Sequence, residues 1–216
     1  MISVSAVMVL MLALTAEATV GDSSQLDFCS ETNECFLFDL ICKTDDYEVR
    51  HYKSVKWVST NETSFLMEFA AMKTFRRLYN YIQGANEKGK KIEMTAPVVM
   101  RIPDKGFLQT GEYRMSFLLP AEYQADPPKP IDNEDKVYIY ETKDMNVYVR
   151  SYGGWLTTIS DGSAAKSLSS ALDSAGAKYK KGGHDAAGYN SPMTLFQRHN
   201  EVWFEADGEL PCTGLD

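Results

Sequence analysis

The chain has 216 residues, of which 44% are hydrophobic and 24% charged, and its net charge is −8. This is the composition of a globular protein, so disordered, collagen-like and low-complexity chains are excluded. Thirty acidic residues against 22 basic ones argue against a protein that binds duplex nucleic acid, because such a protein needs a positive face. The length suits one domain of above-average size or two small ones.

The first 18 residues have the pattern of a secretory signal peptide. Residues 2–16 form an uncharged, mostly apolar run, which is shorter than the ~20 residues that a membrane-spanning helix needs. Ala16-Glu17-Ala18 then supplies a small-x-small cleavage pattern. No basic residue precedes the run, and an N-terminal core helix is the alternative. We expect residues 1–18 to be cleaved, no membrane span in the rest of the chain, and a secreted, extracellular product.

Four cysteines fit an oxidising compartment. Cys29, Cys35 and Cys42 lie near the N-terminus and Cys212 near the C-terminus, and these spacings match no zinc site. Four cysteines allow three connectivities. We favour Cys29–Cys35 and Cys42–Cys212, because a closing strand near Val202 would pair with a strand ending at Cys42 and bring the two ends together. Residues 19–35 would then form an N-terminal disulfide-bearing segment.

The first half of the chain predicts strands around one helix. Strands are expected at 36–42, 47–52, 55–60, 92–101 and 113–119. Between them, apolar residues recur every three or four positions, which predicts a helix with one core-facing side. That side carries Phe65, Phe69, Met72, Phe75, Tyr79 and Ile82.

The second half repeats this order, with strands at 137–141, 147–152, 155–160, 186–192 and 202–205 and a helix over 164–175. Three pairs of segments match in sequence and in order: Val49-Arg-His-Tyr52 with Val149-Arg-Ser-Tyr152, Trp57 with Trp155, and Thr95-Ala-Pro97 with Asn190-Ser-Pro192. The pattern predicts one α+β domain over 36–210 that contains a duplicated strand-strand-helix-strand unit, at about 47–119 and 137–205. We expect a distorted antiparallel β-barrel flanked by two helices.

Signatures of enzymes are missing from the sequence. It has no Gly-x-Ser-x-Gly elbow, no phosphate loop, no His-Glu-x-x-His and no Cys-x-x-Cys. A duplicated shell leaves a groove between its halves or beside a helix, and such grooves commonly hold apolar ligands. The sequence therefore favours a non-enzymatic binding protein. A small-molecule hydrolase using Glu93 as a buried carboxylate is the less favoured alternative.

Several motifs, in order, resemble the SOUL haem-binding protein family over about residues 36–205. They are Tyr47-Glu-Val-Arg-His-Tyr52, Lys91-Ile-Glu-Met-Thr-Ala-Pro-Val98, Ala187-Gly-Tyr-Asn-Ser-Pro192 and Asn200-Glu-Val-Trp203. The resemblance implies a twisted antiparallel barrel with two helices, and reversible binding of haem or a related porphyrin without established catalysis. It also implies His51 as the axial ligand, or an apolar groove beside the first helix in members that lack this histidine.

The candidate haem groove lies along the first helix. Met72 and Phe75 are candidates to contact a porphyrin face, and Lys73, Arg76 and Arg77 are candidates to bind the propionates. The alternative is that the apolar pair belongs to the core and the basic residues form a solvated face. We expect His184 and His199 to be exposed surface histidines.

One sequon, Asn61-Glu-Thr63, predicts glycosylation at Asn61, with helix capping as the alternative. The leading hypothesis is a secreted, non-catalytic carrier or scavenger of haem or another tetrapyrrole. A secreted protein-interaction module that kept the fold without haem is the main alternative.

Overall fold

The structure is a computed structural model that describes residues 19–106, 109–131 and 136–212. The predicted signal peptide, residues 1–18, lies outside the described residues. Over the described ranges, no helix combines the length and apolar character that crossing a membrane requires.

A large antiparallel sheet and two long helices form most of the fold. The N-terminal segment contributes β1 (Val20–Asp22) and β2 (Glu34–Phe36), which pair in a small sheet of their own. The first half of the domain contains β3 (Asp39–Lys43), β4 (Glu48–Tyr52), β5 (Lys56–Ser64), α1 (Met67–Ile82), β6 (Val98–Pro103), β7 (Gly111–Leu118) and the short α2 (Ala121–Gln124). The second half contains β8 (Tyr138–Glu141), β9 (Met145–Tyr152), α3 (Thr158–Ser174), β10 (Gly183–Gly188) and β11 (Asn200–Glu205).

The order of strands in the large sheet is β3-β4-β9-β11-β10-β6-β7-β5-β8. Its central pair is β10 with β6. Moving outward from this pair, the strands are β11, β9 and β4 on one side and β7, β5 and β8 on the other, so the two sides follow the same order. A pseudo-two-fold axis therefore relates β4 to β8, β5 to β9, β6 to β10, β7 to β11 and α1 to α3. Accordingly, α1 packs on β5 and β7, and α3 packs on the equivalent β9 and β11. Each unit has strand-strand-helix-strand-strand order, one strand more than the sequence predicted.

The residue matches used to predict the duplication were wrong. Val49–Tyr52 lies in β4 and Val149–Tyr152 in β9, and these strands are hydrogen-bonded neighbours rather than symmetry equivalents. Trp57 is 3% exposed in β5, whereas Trp155 is 49% exposed in the loop before α3. The strand predicted at 155–160 is instead the start of α3, because the Thr157 side chain accepts a hydrogen bond from the Ser160 amide and caps the helix.

The predicted barrel is not confirmed, because the described strands form an open sheet. Its two edges are β3 and β8, and neither pairs with the other. Both are short, and β3 pairs with β4 through an irregular register between Leu40 and Cys42. Short and irregular edge strands limit further pairing. The short helix α2 was also not expected.

The disulfides are the predicted pairs, Cys29–Cys35 and Cys42–Cys212. The argument for the second pair was wrong, because β11 lies between β9 and β10 and does not pair with the strand that contains Cys42. Instead, the chain continues past β11, and Leu210 and Cys212 pack against the core under α3. The segment 36–42 is also not one strand: β2 ends at Phe36, and β3 begins at Asp39.

Candidate functional site

The outer surface of α1 is unusually apolar. Phe65 just before the helix, and Phe69 and Met72 within it, are 61%, 58% and 65% exposed, and Tyr79 is also exposed. These residues and Arg76 follow steps of four and three, so they form one stripe along the helix. Large apolar side chains grouped on a surface mark a site of interaction. We call this set the α1 outer stripe.

This result corrects the prediction that Phe65, Phe69, Met72 and Tyr79 face the core. The buried side of α1 instead carries Met67, Ala70, Thr74, Leu78, Tyr81 and Ile82. Ala70 and Thr74 are small, which allows a close approach to the sheet, and the Thr74 hydroxyl donates to the carbonyl of Ala70 at 2.7 Å. The helix therefore has two apolar stripes offset by about two residues, and only one of them packs on β5 and β7.

Phe75 lies between these two stripes and is half-buried. Its ring packs edge-on against Phe117 of β7, with centroids 5.1 Å apart, and stacks with Tyr79 at 6.0 Å. Phe75 thus joins the outer stripe to the core and fixes the orientation of the Tyr79 ring.

The three basic candidates on α1 differ in their partners. Lys73 Nζ lies 2.8 Å from Glu62 Oε1, and Arg77 Nη2 lies 2.9 Å from Glu62 Oε2. Arg77 also donates to the Asn61 carbonyl at 3.0 Å, so it attaches the helix to β5. Arg76 is exposed within the outer stripe, and the described residues give it no acidic partner. Of the three, Arg76 is the cation that is best placed for a ligand carboxylate.

A chain of contacts connects the start of α1 to a second exposed apolar group. The Glu68 carboxylate accepts from the Thr158 amide and hydroxyl, both at 2.8 Å, so the first turns of α1 and α3 lie side by side. Ile159 in that turn of α3 is 85% exposed. Trp155 lies in the loop just before α3, and the Arg198 guanidinium is 4.4 Å from the centroid of its ring. The neighbouring loop exposes Met193, Leu195 and Phe196.

This loop is held by polar contacts at its base. Arg198 donates to the carbonyls of Ser191 and Thr194, both at 2.8 Å. The Glu31 carboxylate accepts from Asn190 Nδ2, the Ser191 amide and the Thr194 hydroxyl. Burial acts against ionisation, but these hydrogen bonds outweigh it and lower the pKa of Glu31. The segment closed by the Cys29–Cys35 disulfide therefore braces the apolar loop.

His51 lies in β4, far along the sheet from α1. In the strand pairing, His51 lies directly opposite Asp39 of β3 and Asn146 of β9. Its Nδ1 lies 2.9 Å from Asn146 Oδ1, and because an amide oxygen only accepts, Nδ1 is the donor in this pair. The surrounding depression is mostly polar, with Thr19, Gln25, Asp39 and Lys53 beside Leu37 and Phe38. The structure thus separates His51 from the groove candidates.

The residues on either side of His51, Arg50 and Tyr52, are buried and belong to a network around a buried carboxylate. Glu201 of β11 is fully buried and accepts from Arg50 Nη1 at 3.0 Å, Tyr189 OH at 2.9 Å and Trp203 Nε1 at 2.8 Å. Tyr52 OH accepts from the same guanidinium at 3.2 Å. Arg50 and Tyr52 of the Arg-His-Tyr motif therefore have a structural role.

The electrostatics of this network follow from burial and charge. Burial alone would raise the pKa of the Glu201 carboxyl, but the hydrogen bond from His199 and the charge of Arg50 lower it below its ordinary value. Burial raises the pKa of the Tyr52 and Tyr189 hydroxyls. The network is thus an ionised Arg50–Glu201 pair surrounded by neutral phenols.

The other two histidines are not the free surface residues that the sequence suggested. His184 Nε2 lies 2.7 Å from the buried Asp161 Oδ2, and His199 Nε2 lies 2.8 Å from Glu201 Oε1. The His199 ring also stacks on Phe28, with centroids 4.2 Å apart. Both partners lie inside the fold, so only the three-dimensional arrangement could identify them.

Glu93, the carboxylate of the hydrolase alternative, is exposed and accepts from Asn33 Nδ2 at 3.0 Å. The expectation that it is buried near a pocket was wrong, because Glu93 precedes β6 on the surface. A fully buried carboxylate is found instead at Glu201, and the signal for it in the sequence was the motif Asn200-Glu-Val-Trp203.

Asn61, the predicted glycosylation site, lies inside β5 rather than directly before the helix. Its Nδ2 donates to Glu112 Oε1 at 3.1 Å, and its Oδ1 accepts from Tyr138 OH at 2.8 Å. The capping alternative is also not supported for Asn61, because α1 begins after Leu66 without a side-chain cap.

Comparisons with known proteins agree with this fold and its sequence motifs. The profile of the family described as SOUL heme-binding protein matches residues 33–205. Heme-binding protein 2 from Homo sapiens is 39% identical over 158 residues, which cover 73% of this chain and 76% of that protein. The same protein from Mus musculus is 36% identical over 166 residues, covering 76% and 80%. Heme-binding protein 1 from Bos taurus is 31% identical over 165 residues, covering 76% and 84%.

Solved structures with low sequence identity share the fold alone. The EcmrR C-terminal domain is 10% identical with a TM-score of 0.56, covering 79% of this chain and 98% of that one. A hydrolase from Listeria innocua is 10% identical with a TM-score of 0.51, covering 77% and 94%. Because the family profile and the curated relatives extend over most of the described domain, the chain belongs to the SOUL heme-binding protein family.

Proposed function

We propose that this chain binds haem or a related tetrapyrrole reversibly on the α1 outer stripe, as a secreted carrier or scavenger that catalyses no reaction. The observation that carries the proposal is the exposure of Phe65, Phe69, Met72 and Tyr79 on one helix face. A soluble protein seldom leaves so large an apolar group in water unless a ligand or partner covers it. Family membership supports the ligand class, since the names of the relatives state heme binding.

The chemistry of the stripe fits a porphyrin. Haem is a flat apolar macrocycle edged by carboxylates, and Phe69 and Met72 offer an apolar surface for its face. Arg76, between Met72 and Tyr79 in the stripe, offers a guanidinium for a propionate. Lys73 is a second cation, which would have to leave Glu62. The exposed loop around Leu195, connected through Trp155 and the start of α3, would extend the apolar surface.

Ligation of the haem iron by a side chain is separate from binding of the porphyrin ring to the protein surface. The chain has three histidines, and none lies in α1. His184 and His199 are bound to buried carboxylates, which leaves His51 as the imidazole to test. Because β4 and α1 lie on different parts of the sheet, we expect the α1 outer stripe to supply most of the affinity and His51 little of it.

Secretion is proposed from the leader pattern and the disulfides. Structural disulfides persist in oxidising compartments: Cys29–Cys35 closes a loop within the N-terminal segment, and Cys42–Cys212 joins the C-terminal segment to β3. Expression of the full chain in a secretory cell line should release a protein whose first residue is Thr19. Loss of mass on treatment with an N-glycosidase would establish glycosylation at Asn61, and retention of the unprocessed chain in the cell would contradict secretion.

The binding proposal is tested by titration of hemin, followed by its absorbance, into the wild type and three variants. Burying a Phe or Met side chain contributes about 1.5–3 kcal/mol, so the double variant F69S/M72S should bind hemin at least about tenfold more weakly. Ile131→Ser, which removes an exposed apolar residue that is not part of the α1 outer stripe, is the control and should bind like the wild type. His51→Ala should remain within about threefold of the wild type.

Two results would contradict this proposal. Equal hemin affinity in F69S/M72S and the wild type would exclude the α1 outer stripe, and a tenfold loss in His51→Ala alone would move the site to β4. If hemin does not saturate, the exposed apolar residues favour the second candidate function, a protein-interaction module. The additional exposed group Met193, Leu195 and Phe196 is the observation that favours this second candidate.

A further inference from the structure

The concave face of the large sheet contains a cleft that none of the residues discussed above for haem enters. Its volume is about 260 Å³, and Trp57, Tyr140, Met145 and Trp203 form its apolar walls. It lies between the two symmetry-related halves of the sheet, since β5 and β8 of one half contribute one side and β11 of the other half contributes the opposite side. Clefts between domain halves with apolar walls and a few polar groups are the usual form of small-molecule sites.

A row of charged residues crosses the floor of this cleft. Asp185 of β10 is opposite Arg101 of β6, and Arg101 is opposite Arg114 of β7. Directly opposite residues on neighbouring strands share one face of the sheet, so the two guanidinium groups are adjacent. Like charges in such a pair destabilise the sheet unless an anion compensates them.

Asp185 lies within electrostatic range of both arginines but forms an ion pair with Arg101 alone. Asp185 Oδ2 lies 3.2 Å from Arg101 Nη1, and Glu205 is paired with Lys180. The Arg114 guanidinium lies 4.3 Å from the ring centroid of Tyr140, and within the described ranges it has no acidic group at ion-pair distance. Arg114 is thus a cation held against an aromatic wall with its hydrogen-bond donors available.

The cleft also contains a polar atom without a partner. Trp57 is 97% buried, and its Nε1, which can only donate, has no hydrogen-bond acceptor in the described structure. Buried donors without partners are rare in folded proteins, because each one costs the free energy of its lost hydration. Because Nε1 itself has no accessible surface, a ligand acceptor would remove this cost only where the Trp57 indole shifts toward the cleft as the ligand binds.

From these features we propose that the cleft is a second ligand site, for a small planar molecule that carries a carboxylate. The carboxylate would bind the Arg114 guanidinium and compensate the adjacent arginines. The ring would lie between the aromatic walls, and an acceptor atom would receive the Trp57 indole N–H. A dry cavity of about 150 Å³ holds benzene, so this cleft admits one or two rings and excludes a porphyrin.

Benzoate and benzamide form a matched pair of probes, because they share a shape and differ in charge. Calorimetric titration should show saturable binding of benzoate and at least about tenfold weaker binding of benzamide. The indole N–H signal of Trp57, identified by its absence in Trp57→Phe, should shift with benzoate. Failure of benzoate to saturate by about 10 mM, or equal affinity for benzamide, would overturn the proposal.

Variants of the protein test whether benzoate binds in the cleft or is attracted only by positive charge on the surface. Arg114→Gln should weaken benzoate binding at least about tenfold, whereas Arg150→Gln, which removes an arginine that does not line the cleft, should stay within twofold. Trp57→Phe keeps the aromatic wall and should weaken benzoate about threefold, which provides a second test if Arg114→Gln does not fold. An unchanged affinity in both cleft variants, or displacement of hemin by benzoate, would contradict a separate site.

Discussion

The helices α1 and α3 occupy equivalent positions but differ on their outer surfaces. Both pack on equivalent strand pairs, and each buries a leucine fully, Leu78 in α1 and Leu168 in α3. Beyond its first turn, α3 exposes small and polar residues such as Ser163, Lys166 and Ser170, whereas α1 exposes Phe69 and Met72. Packing on the sheet therefore does not require the apolar outer surface of α1. That difference indicates that the surface serves a ligand or partner.

The largest expected effect comes from disrupting the scaffold that both helices share. Arg50→Met would leave the fully buried Glu201 carboxylate without its main cation and should lower the free energy of unfolding by about 3–5 kcal/mol. Arg150→Met is the matched control: this arginine is partly exposed and contacts Asp46, so its replacement should lower the free energy of unfolding by less than about 1 kcal/mol. Denaturant unfolding of both variants would measure the difference, and equal losses would contradict the role of the Arg50–Glu201 pair.

The inner faces of the two helices should behave alike. Leu78→Ala and Leu168→Ala each remove a fully buried leucine, so each should lower the free energy of unfolding by about 2–5 kcal/mol. Their midpoints of urea unfolding are the measurement. If only one substitution destabilised the protein, the two helices would not be equivalent parts of the scaffold.

The dependence of stability on pH tests the Glu201 network. Because the pKa of Glu201 is lower in the folded than in the unfolded state, its contribution to stability is present above the unfolded pKa of about 4.3. That contribution is lost as the pH falls through the folded pKa. The free energy of unfolding of the wild type should therefore decrease more steeply below about pH 4.3 than that of Glu201→Gln. Parallel curves would show that Glu201 is not ionised in the folded protein.

The outer surfaces provide the smallest expected effects. Arg76→Gln on α1 should weaken hemin binding about two- to fivefold, because it removes one exposed cation near a propionate. Lys166→Gln, the matched change on α3, should leave the affinity unchanged. Neither substitution should change the unfolding midpoint measurably, since both side chains are exposed. If Lys166→Gln reduced the affinity for hemin more than Arg76→Gln, hemin would bind on α3 rather than on α1.

The sequence was sufficient for the α+β class of the fold, whereas the Cys42–Cys212 pair was predicted by an argument that the strand order contradicts. It was not sufficient to predict which side of α1 is buried. Steps of three and four fit both Phe65-Phe69-Met72-Tyr79 and the buried set that contains Leu78 and Tyr81. The larger residues of the first set made it the expected core side. The set that contains Ala70 and Thr74 is buried instead, because small residues allow the helix to approach the sheet closely. Periodicity alone does not distinguish two apolar stripes on one helix.

Contacts between distant residues account for the other differences. The partner of His184 is Asp161 of α3, and the network of Arg50 in β4 is completed by β10 and β11. Trp155 was matched with Trp57, which is buried, yet Trp155 lies beside a helix cap and its ring packs against the Arg198 guanidinium. These positions depend on the packing of elements that are far apart in sequence.

Backbone amide signals in the presence of ferric hemin provide the most direct test of the central claim. The paramagnetic iron broadens the signals of nuclei near it, so it reports which helix contacts the ligand. Our account predicts that substoichiometric hemin broadens the amides of residues 65–79 on α1 and leaves those of residues 163–174 on α3 sharp. Broadening centred on α3, or on β4 around His51, would contradict it.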